Sequence, residues 1–91
     1  MKGSMLDVEN LPKLEAAQEQ LAAIKVKKLR ARHEKNQGSE MSLTSALDHL
    51  SQEYAECMEA IAASDRDHIM EELADLSNMV DIFATLVLWE I

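Results

Sequence analysis

Residues 42–90 read SLTSALDHLSQEYAECMEAIAASDRDHIMEELADLSNMVDIFATLVLWE, and this stretch decides the fold. Its apolar residues recur every three or four positions, which is the period of one face of an α-helix. We expect one helix that is capped by Ser42 or Thr44 and ends at about Ala62, and another over 65–90. Because the connection between them is so short, the two helices should form an antiparallel hairpin.

The chain before this stretch predicts another long helix. Leucine, isoleucine and valine keep a helical spacing over 11–35, and Gly38 lies just beyond, where a left-handed conformation can end a helix. Ser64, with Asp67 three residues later, resembles a short capping box for the last helix. The predicted fold class is therefore all-α, a three-helix chain that contains an antiparallel helical hairpin.

The second predicted helix carries most of its apolar side chains on one face. These are Leu43, Ala46, Leu47, Leu50, Tyr54, Cys57, Met58 and Ile61. The end of the third helix is instead apolar almost all round, over 76–88. A chain of 91 residues cannot cover both sides of such a helix. We therefore expect a second copy to cover it, in a homodimer or a tetramer that completes a helical bundle.

Composition restricts the classes of protein that the chain can represent. Two glycines and one proline, with 47% hydrophobic residues, argue against a disordered segment or a turn-rich β-sandwich. The formal net charge of −8 argues against partners such as nucleic acid or an anionic membrane. The longest apolar stretch, 82–89, is too short to cross a bilayer.

The first residues are expected to lie outside the folded domain. We take 1–10 as a flexible N-terminus, of which 1–4 could be the remnant of an expression tag, and 11–91 as one helical domain. A single cysteine, Cys57, and the lack of a signal-peptide pattern predict a cytoplasmic protein.

Two pairs of acidic residues stand out by their spacing. Glu53 and Glu56 are three residues apart on the second predicted helix, and Glu72 and Asp75 are three apart on the third. Helical geometry places Glu53 about 80° from the centre of its apolar face, and Glu72 within about 40° of the apolar stripe of its own helix. Glu53 should therefore border the core, and Glu72 should lie on an apolar face.

A carboxylate on an apolar face needs a proton, a base or a metal ion, because an unpaired charge is costly to bury. Arg66 is the only basic residue nearby in the sequence. Carboxylate oxygens without accompanying Cys or His favour Mg²⁺, or Mn²⁺, over Zn²⁺. The alternative is that these acidic residues form a solvated helix face.

The segments around these residues resemble a known family. EYAECMEAI at 53–61 and EELADLSNMVDIF at 71–83 are similar to the two metal-binding helices of the MazG-like all-α nucleoside triphosphate pyrophosphohydrolases. KLRARHEKNQGSEMS at 28–42 resembles the segment before this motif in the small dATP/dGTP pyrophosphohydrolase-like members. The resemblance covers about 28–87 and departs from those members at 37–40, where they usually carry glycine and tryptophan.

The resemblance implies an enzyme that uses Mg²⁺ and cleaves a nucleoside triphosphate to a nucleoside monophosphate and pyrophosphate. The metal ligands would be Glu53, Glu56, Glu72 and Asp75. Water would attack the α-phosphorus, and Glu53 or Glu56 would accept the proton as the catalytic base. Asn78 resembles an asparagine that some members place near the sugar or base, although a solvent-facing polar role is equally open.

A basic segment precedes the acidic motif, with six of the nine basic residues over 25–35. Lys28, Arg32 and Lys35 share a rough helical face, and in this interpretation they bind the triphosphate. The alternative is that these side chains pair with acidic residues of this or a neighbouring chain.

Two further functions stay open. The chain could be a non-catalytic helical interaction module, with the basic helix as its docking site. It could also be a phosphoribosyl-ATP pyrophosphohydrolase, which shares the chemistry but acts on another substrate.

Overall fold

The computed structural model describes residues 8–35 and 42–90, apart from the side chains at 34 and 35. These ranges contain helices and no strand, which confirms the all-α class. The elements are a short 3-10 turn Val8–Asn10, α1 Leu11–Lys35, α2 Leu43–Ala63 and α3 Arg66–Glu90. The expected helix stop at Gly38 lies outside the described residues.

The start of α2 is capped by Ser42. Its backbone is extended, and its side-chain oxygen accepts a hydrogen bond from the Ser45 backbone N–H at 3.1 Å. This bond satisfies one of the amide groups that the first turn of a helix leaves without a partner. Of the two residues that the sequence offered as caps, Ser42 is therefore the one used.

The junction between α2 and α3 differs from the expected capping box. Ser64 adopts a left-handed backbone, with φ of 58°, and its N–H donates to the Ala60 and Ile61 carbonyls. Ser64 therefore ends α2 rather than starting α3. Asp65 begins the next helix instead, because its Oδ1 accepts from the His68 backbone N–H at 3.3 Å.

Helix α3 is the central element, since both α1 and α2 pack against it. The fully buried apolar positions are mostly small, with Met79 the largest side chain below 2% exposure. Ala46 and Ala60 on α2 and Ala74 on α3 are almost completely buried. Small side chains allow close packing of helices, and they also leave a small core.

The buried face of α2 is rotated from the expected one. It consists of Ala46, Glu53, Cys57 and Ala60, which helical geometry places within about 60° of one another. The larger apolar residues on the predicted face are more than half exposed: Leu47, Tyr54, Met58 and Ile61. Glu53 was expected to border the core, and it lies within the buried face because α3 packs against the small residues around it.

Across 8–35 and 42–90, none of the helices combines the length and apolar character needed to span a membrane.

Candidate metal centre

Three carboxylates from α2 and α3 meet at the interface between these helices. Oxygen atoms of Glu53, Glu56 and Glu72 all lie within 4.8 Å of one another. Their exposure is graded, because Glu53 is buried with 8% exposure, Glu72 is half-buried and Glu56 is exposed. The group therefore forms a pocket of negative charge that is closed on one side and open to solvent on the other.

Asp75 lies beside this group and is not part of it. It is near enough for its negative charge to raise the pKa of both Glu53 and Glu72. Its Oδ2 atom accepts a hydrogen bond from Lys28 Nζ of α1 at 3.4 Å. The fold thus brings both acidic pairs of the sequence together. Three of the four carboxylates lie close to one another, and the fourth, Asp75, faces Lys28.

Two oxygen atoms of the group have no hydrogen-bond partner although they are buried. They are Glu53 Oε2 and Glu72 Oε2. An orphaned buried carboxylate oxygen is costly, and a bound cation is one of the few partners that can satisfy it. Hard oxygen donors of this kind suit Mg²⁺ or Mn²⁺, so the residues present fit a divalent metal ion.

The electrostatics of the group point the same way. Burial is the main cause that raises the pKa of Glu53 from 4.5 to about 7, repulsion from Glu56 adds to it, and Arg32 opposes it. Burial and the nearby Glu56 also raise the pKa of Glu72, against the attraction of His68. The pocket holds more negative charge than its own cations balance, and it favours taking up a proton or a metal ion.

Cys57 lies in the same interface and is 4% exposed. Burial, followed by the negative charge of Glu72, raises the pKa of its thiol. A thiol held in its neutral form behaves as a small apolar side chain and is a poor nucleophile.

The basic partners of the carboxylates come mainly from α1. Arg32 Nη2 lies 3.5 Å from Glu53 Oε1, and its Nη1 donates to Met79 Sδ at 2.9 Å. Lys28 pairs with Asp75. The sequence left two roles open for these two cations, phosphate binding and pairing with acidic residues, and in the structure each of them faces a carboxylate. The predicted Lys35 side chain lies outside the described residues.

A histidine that the sequence reasoning passed over also reaches the group. His68 Nε2 lies 3.7 Å from Glu72 Oε1, one helical turn along α3. The pair is an ion pair only when the imidazole is protonated. The spacing of four residues on one helix was the signal that could have revealed it.

Asn78 is buried and contacts the backbone of α1. Its Nδ2 donates to the Lys25 carbonyl oxygen at 2.9 Å, and Lys25 Nζ in turn lies 2.6 Å from Asp81 Oδ2. These two contacts hold the middle of α1 against α3. They thereby hold the next two turns of α1, which carry Lys28 and Arg32, close to the carboxylates.

A cavity of about 570 Å³ opens between α1 and the first turns of α3. Ile24 and Met70 contribute apolar surface to its lining, and Lys27, Lys28 and Arg66 contribute positive charge. Lys28, whose side chain also contacts Asp75, is one of the residues that line this cavity. Its volume is within the range of small-molecule binding sites.

Fold and site together define an all-α protein with an acidic centre between two neighbouring helices. The family model of the MazG nucleotide pyrophosphohydrolase domain matches residues 41–87, which are 47 of the 91 residues. The chain belongs to this family. The matched segment contains the four carboxylates and Asn78. Neither a curated protein nor a solved structure matches the chain.

Proposed function

We propose that the protein is a Mg²⁺-dependent nucleoside triphosphate pyrophosphohydrolase. It would cleave ribo- or deoxyribonucleoside triphosphates between the α- and β-phosphates. The observation that carries this proposal is the carboxylate group inside the matched domain, with two buried oxygen atoms that lack a partner. A solvated acidic surface would not leave carboxylate oxygens buried at a helix interface.

The metal ion would be held by carboxylates of α2 and α3: Glu53, Glu56, Glu72 and Asp75. Mg²⁺, or Mn²⁺ in its place, would offset the negative charge of the triphosphate and make the α-phosphorus more electrophilic. The family match supports metal dependence, and the oxygen-only donor set supports these two ions over Zn²⁺.

The chain itself would supply the base and the positive charge. Glu53 or Glu56 would accept the proton from the attacking water as its oxygen bonds to the α-phosphorus. The bond from that phosphorus to the bridging oxygen then breaks, and pyrophosphate leaves. In the metal-free protein burial raises the pKa of Glu53 to about 7, and a bound divalent cation would favour the ionised form that accepts a proton. The proposed phosphate ligands are Lys28, Arg32 and Lys35.

Asn78 is proposed to assist substrate binding. Its amide nitrogen donates a hydrogen bond to the Lys25 carbonyl oxygen of α1. Asn78 would therefore assist by fixing the position of α1, which carries Lys28 and Arg32.

Replacement of Glu72 by glutamine tests the proposal. The substitution keeps the shape of the side chain and removes a ligand charge, so Mg²⁺ binding and turnover should be lost while the helical circular dichroism spectrum is retained. We expect a fall in pyrophosphate release of roughly 10²-fold or more. Glu59→Gln, at an exposed position of α2, is the matched control and should keep activity.

The assay should follow pyrophosphate release over a panel of nucleotides, with Mg²⁺, Mn²⁺ or EDTA. Including phosphoribosyl-ATP in the panel separates the related activity on that substrate. If purified protein releases no pyrophosphate from any of them, and Glu72→Gln leaves metal binding unchanged, the hydrolase proposal is wrong. The non-catalytic interaction module would then be favoured, because α2 exposes several large apolar side chains.

We also propose that the protein assembles with itself, as a homodimer or a tetramer. The half-exposed apolar residues of α2 belong to a stripe with coiled-coil spacing: Leu47, Ser51, Tyr54, Met58 and Ile61. Helix α3 carries a similar stripe: Leu73, Ser77, Val80, Ala84 and Val87. In this assembly α2 and α3 would form an antiparallel hairpin in each subunit.

The dimensions of the chain support this assembly. Its radius of gyration is 14.9 Å, whereas a compact chain of this length has a radius of about 12 Å. An extended chain with apolar stripes on its surface gains stability when a second copy covers them.

A further inference from the structure

We propose that Lys28 acts as a latch between the metal and the phosphate chain. In the metal-free protein it holds Asp75 away from the three-carboxylate group, and metal binding draws Asp75 in and frees Lys28 to bind phosphate. This inference rests on the proposed metal centre and adds a coupling between metal and substrate within it.

The position of Asp75 is the first observation. Asp75 lies three residues after Glu72 on α3, so the two side chains share a helix face. It nevertheless stays outside the group of carboxylate oxygens that lie within 4.8 Å of one another. Its Oδ2 atom is the one that faces Lys28 Nζ. A fourth oxygen ligand is therefore within reach of the pocket and is turned to a lysine of another helix.

The weakness of the pair is the second observation. The distance of 3.4 Å between Lys28 and Asp75 is long for an ion pair, and both side chains are about a third exposed. Lys25 and Asp81, on the same two helices, approach to 2.6 Å. A long and partly solvated ion pair contributes little stability, so a divalent cation can displace it at low cost.

The surroundings of Lys28 are the third observation. Its side chain also borders the cavity between α1 and α3, where Lys27 and Arg66 add positive charge. Asp67 and Glu71 line the same cavity, and their negative charges offset those of Lys27 and Arg66. The positive charge of Lys28 would therefore decide whether the cavity attracts an anion. When it is released from Asp75, the Lys28 ammonium group can turn to a phosphate in this cavity.

This arrangement couples the two ligands in a definite direction. The metal ion competes with Lys28 for Asp75. Once the metal ion binds Asp75, the Lys28 ammonium group becomes available to bind phosphate. By linkage, a bound polyphosphate that holds Lys28 away should raise metal affinity by the same factor as the metal raises polyphosphate affinity.

The test uses isothermal titration of the full chain with Mg²⁺ alone. Lys28→Met should bind Mg²⁺ about fivefold more tightly than the wild type, the factor that a pair of ~1 kcal/mol represents. Arg30→Met removes the same charge two positions away, at an exposed residue of α1, and reports any general electrostatic effect. Asp75→Asn should bind Mg²⁺ more weakly, because it removes the fourth ligand.

A second readout follows the anion. In saturating Mg²⁺, inorganic pyrophosphate should bind Lys28→Met several-fold more weakly than it binds the wild type or Arg30→Met. Opposite effects of Lys28→Met on the metal and on the anion exclude a merely structural role, because a structural lysine would weaken both, and the absence of these effects in Arg30→Met excludes a general effect of charge. Circular dichroism of each variant establishes that its helices are retained.

Two failures can be told apart. If the wild type binds Mg²⁺ and Glu72→Gln abolishes that binding, but Lys28→Met has the affinity of the wild type or a lower one, the latch is refuted and the metal centre stands. If the wild type binds neither Mg²⁺ nor Mn²⁺, both the metal centre and the latch are wrong.

Discussion

Glu53→Gln is expected to stabilise the metal-free protein at alkaline pH, although it removes a proposed metal ligand. Burial and repulsion raise the pKa of Glu53 from 4.5 to about 7, so the folded state prefers the neutral side chain. Glutamine resembles that neutral form. The charged carboxylate therefore lowers the free energy of unfolding. Replacing it by the neutral glutamine should raise the free energy of unfolding again.

The magnitude follows from the two pKa values. The interval from 4.5 to about 7 corresponds to an upper limit of ~3 kcal/mol. Because Glu56 and Glu72 share the same repulsion and can relax, we expect ~2 kcal/mol.

The sign of the pH dependence is also determined. Between pH 4.5 and 7 the folded protein keeps a proton on Glu53 that the unfolded chain releases, so stability falls as pH rises through this window. Wild type and Glu53→Gln should therefore be equally stable below about pH 4.5, and the gap should reach its full size above about pH 7. The raised pKa of Glu72 acts in the same direction.

Urea unfolding followed by circular dichroism measures this effect, at about pH 4.5, 6 and 8, in EDTA and at one protein concentration. Added Mg²⁺ should stabilise the wild type at pH 8 and leave the variant unchanged. Glu59→Gln, an exposed position on the same helix, should shift the free energy of unfolding by less than ~0.5 kcal/mol. Equal destabilisation of Glu53→Gln at every pH would refute the reasoning and make Glu53 a structural ion-pair partner of Arg32.

Two other substitutions test the fold and the assembly. Ser64→Gly should raise stability by ~1 kcal/mol in thermal unfolding, because Ser64 has a φ of 58° that glycine adopts without a steric penalty; no gain would contradict the left-handed helix end. Met58→Glu should shift the protein to monomers in sedimentation, since it places a charge on the half-exposed apolar stripe of α2. The control Gln52→Glu should leave the assembly intact, and an unchanged oligomer in Met58→Glu would exclude this stripe as the interface.

The sequence predicted the helices closely. The spacing of apolar residues placed the first helix at Leu11–Lys35, where it lies, and the bounds of the other two were within one or two residues. This succeeded because the α-helix is a local structure, and its period is visible in a single run of sequence. The same locality brought out Glu53 and Glu56 on one helix and Glu72 and Asp75 on the next.

The junction at Ser64 was harder to predict. Both a helix start and a helix end accept serine, and the choice depends on whether the backbone turns left-handed there. Ser64 does so, and Asp65 takes the cap of α3. A one-residue error in register at such a junction changes the role of each residue without changing the number of helices.

The sequence by itself therefore determined three helices and the presence of acidic pairs on two of them. The tertiary structure decided the rotation of α2 that buries Glu53, the exclusion of Asp75 from the close group, and its pairing with Lys28 of α1. The physical reason is that helical period depends on neighbours along the chain. Rotation and ion pairing depend instead on which small side chains let helices approach, and that choice is made between segments far apart in sequence.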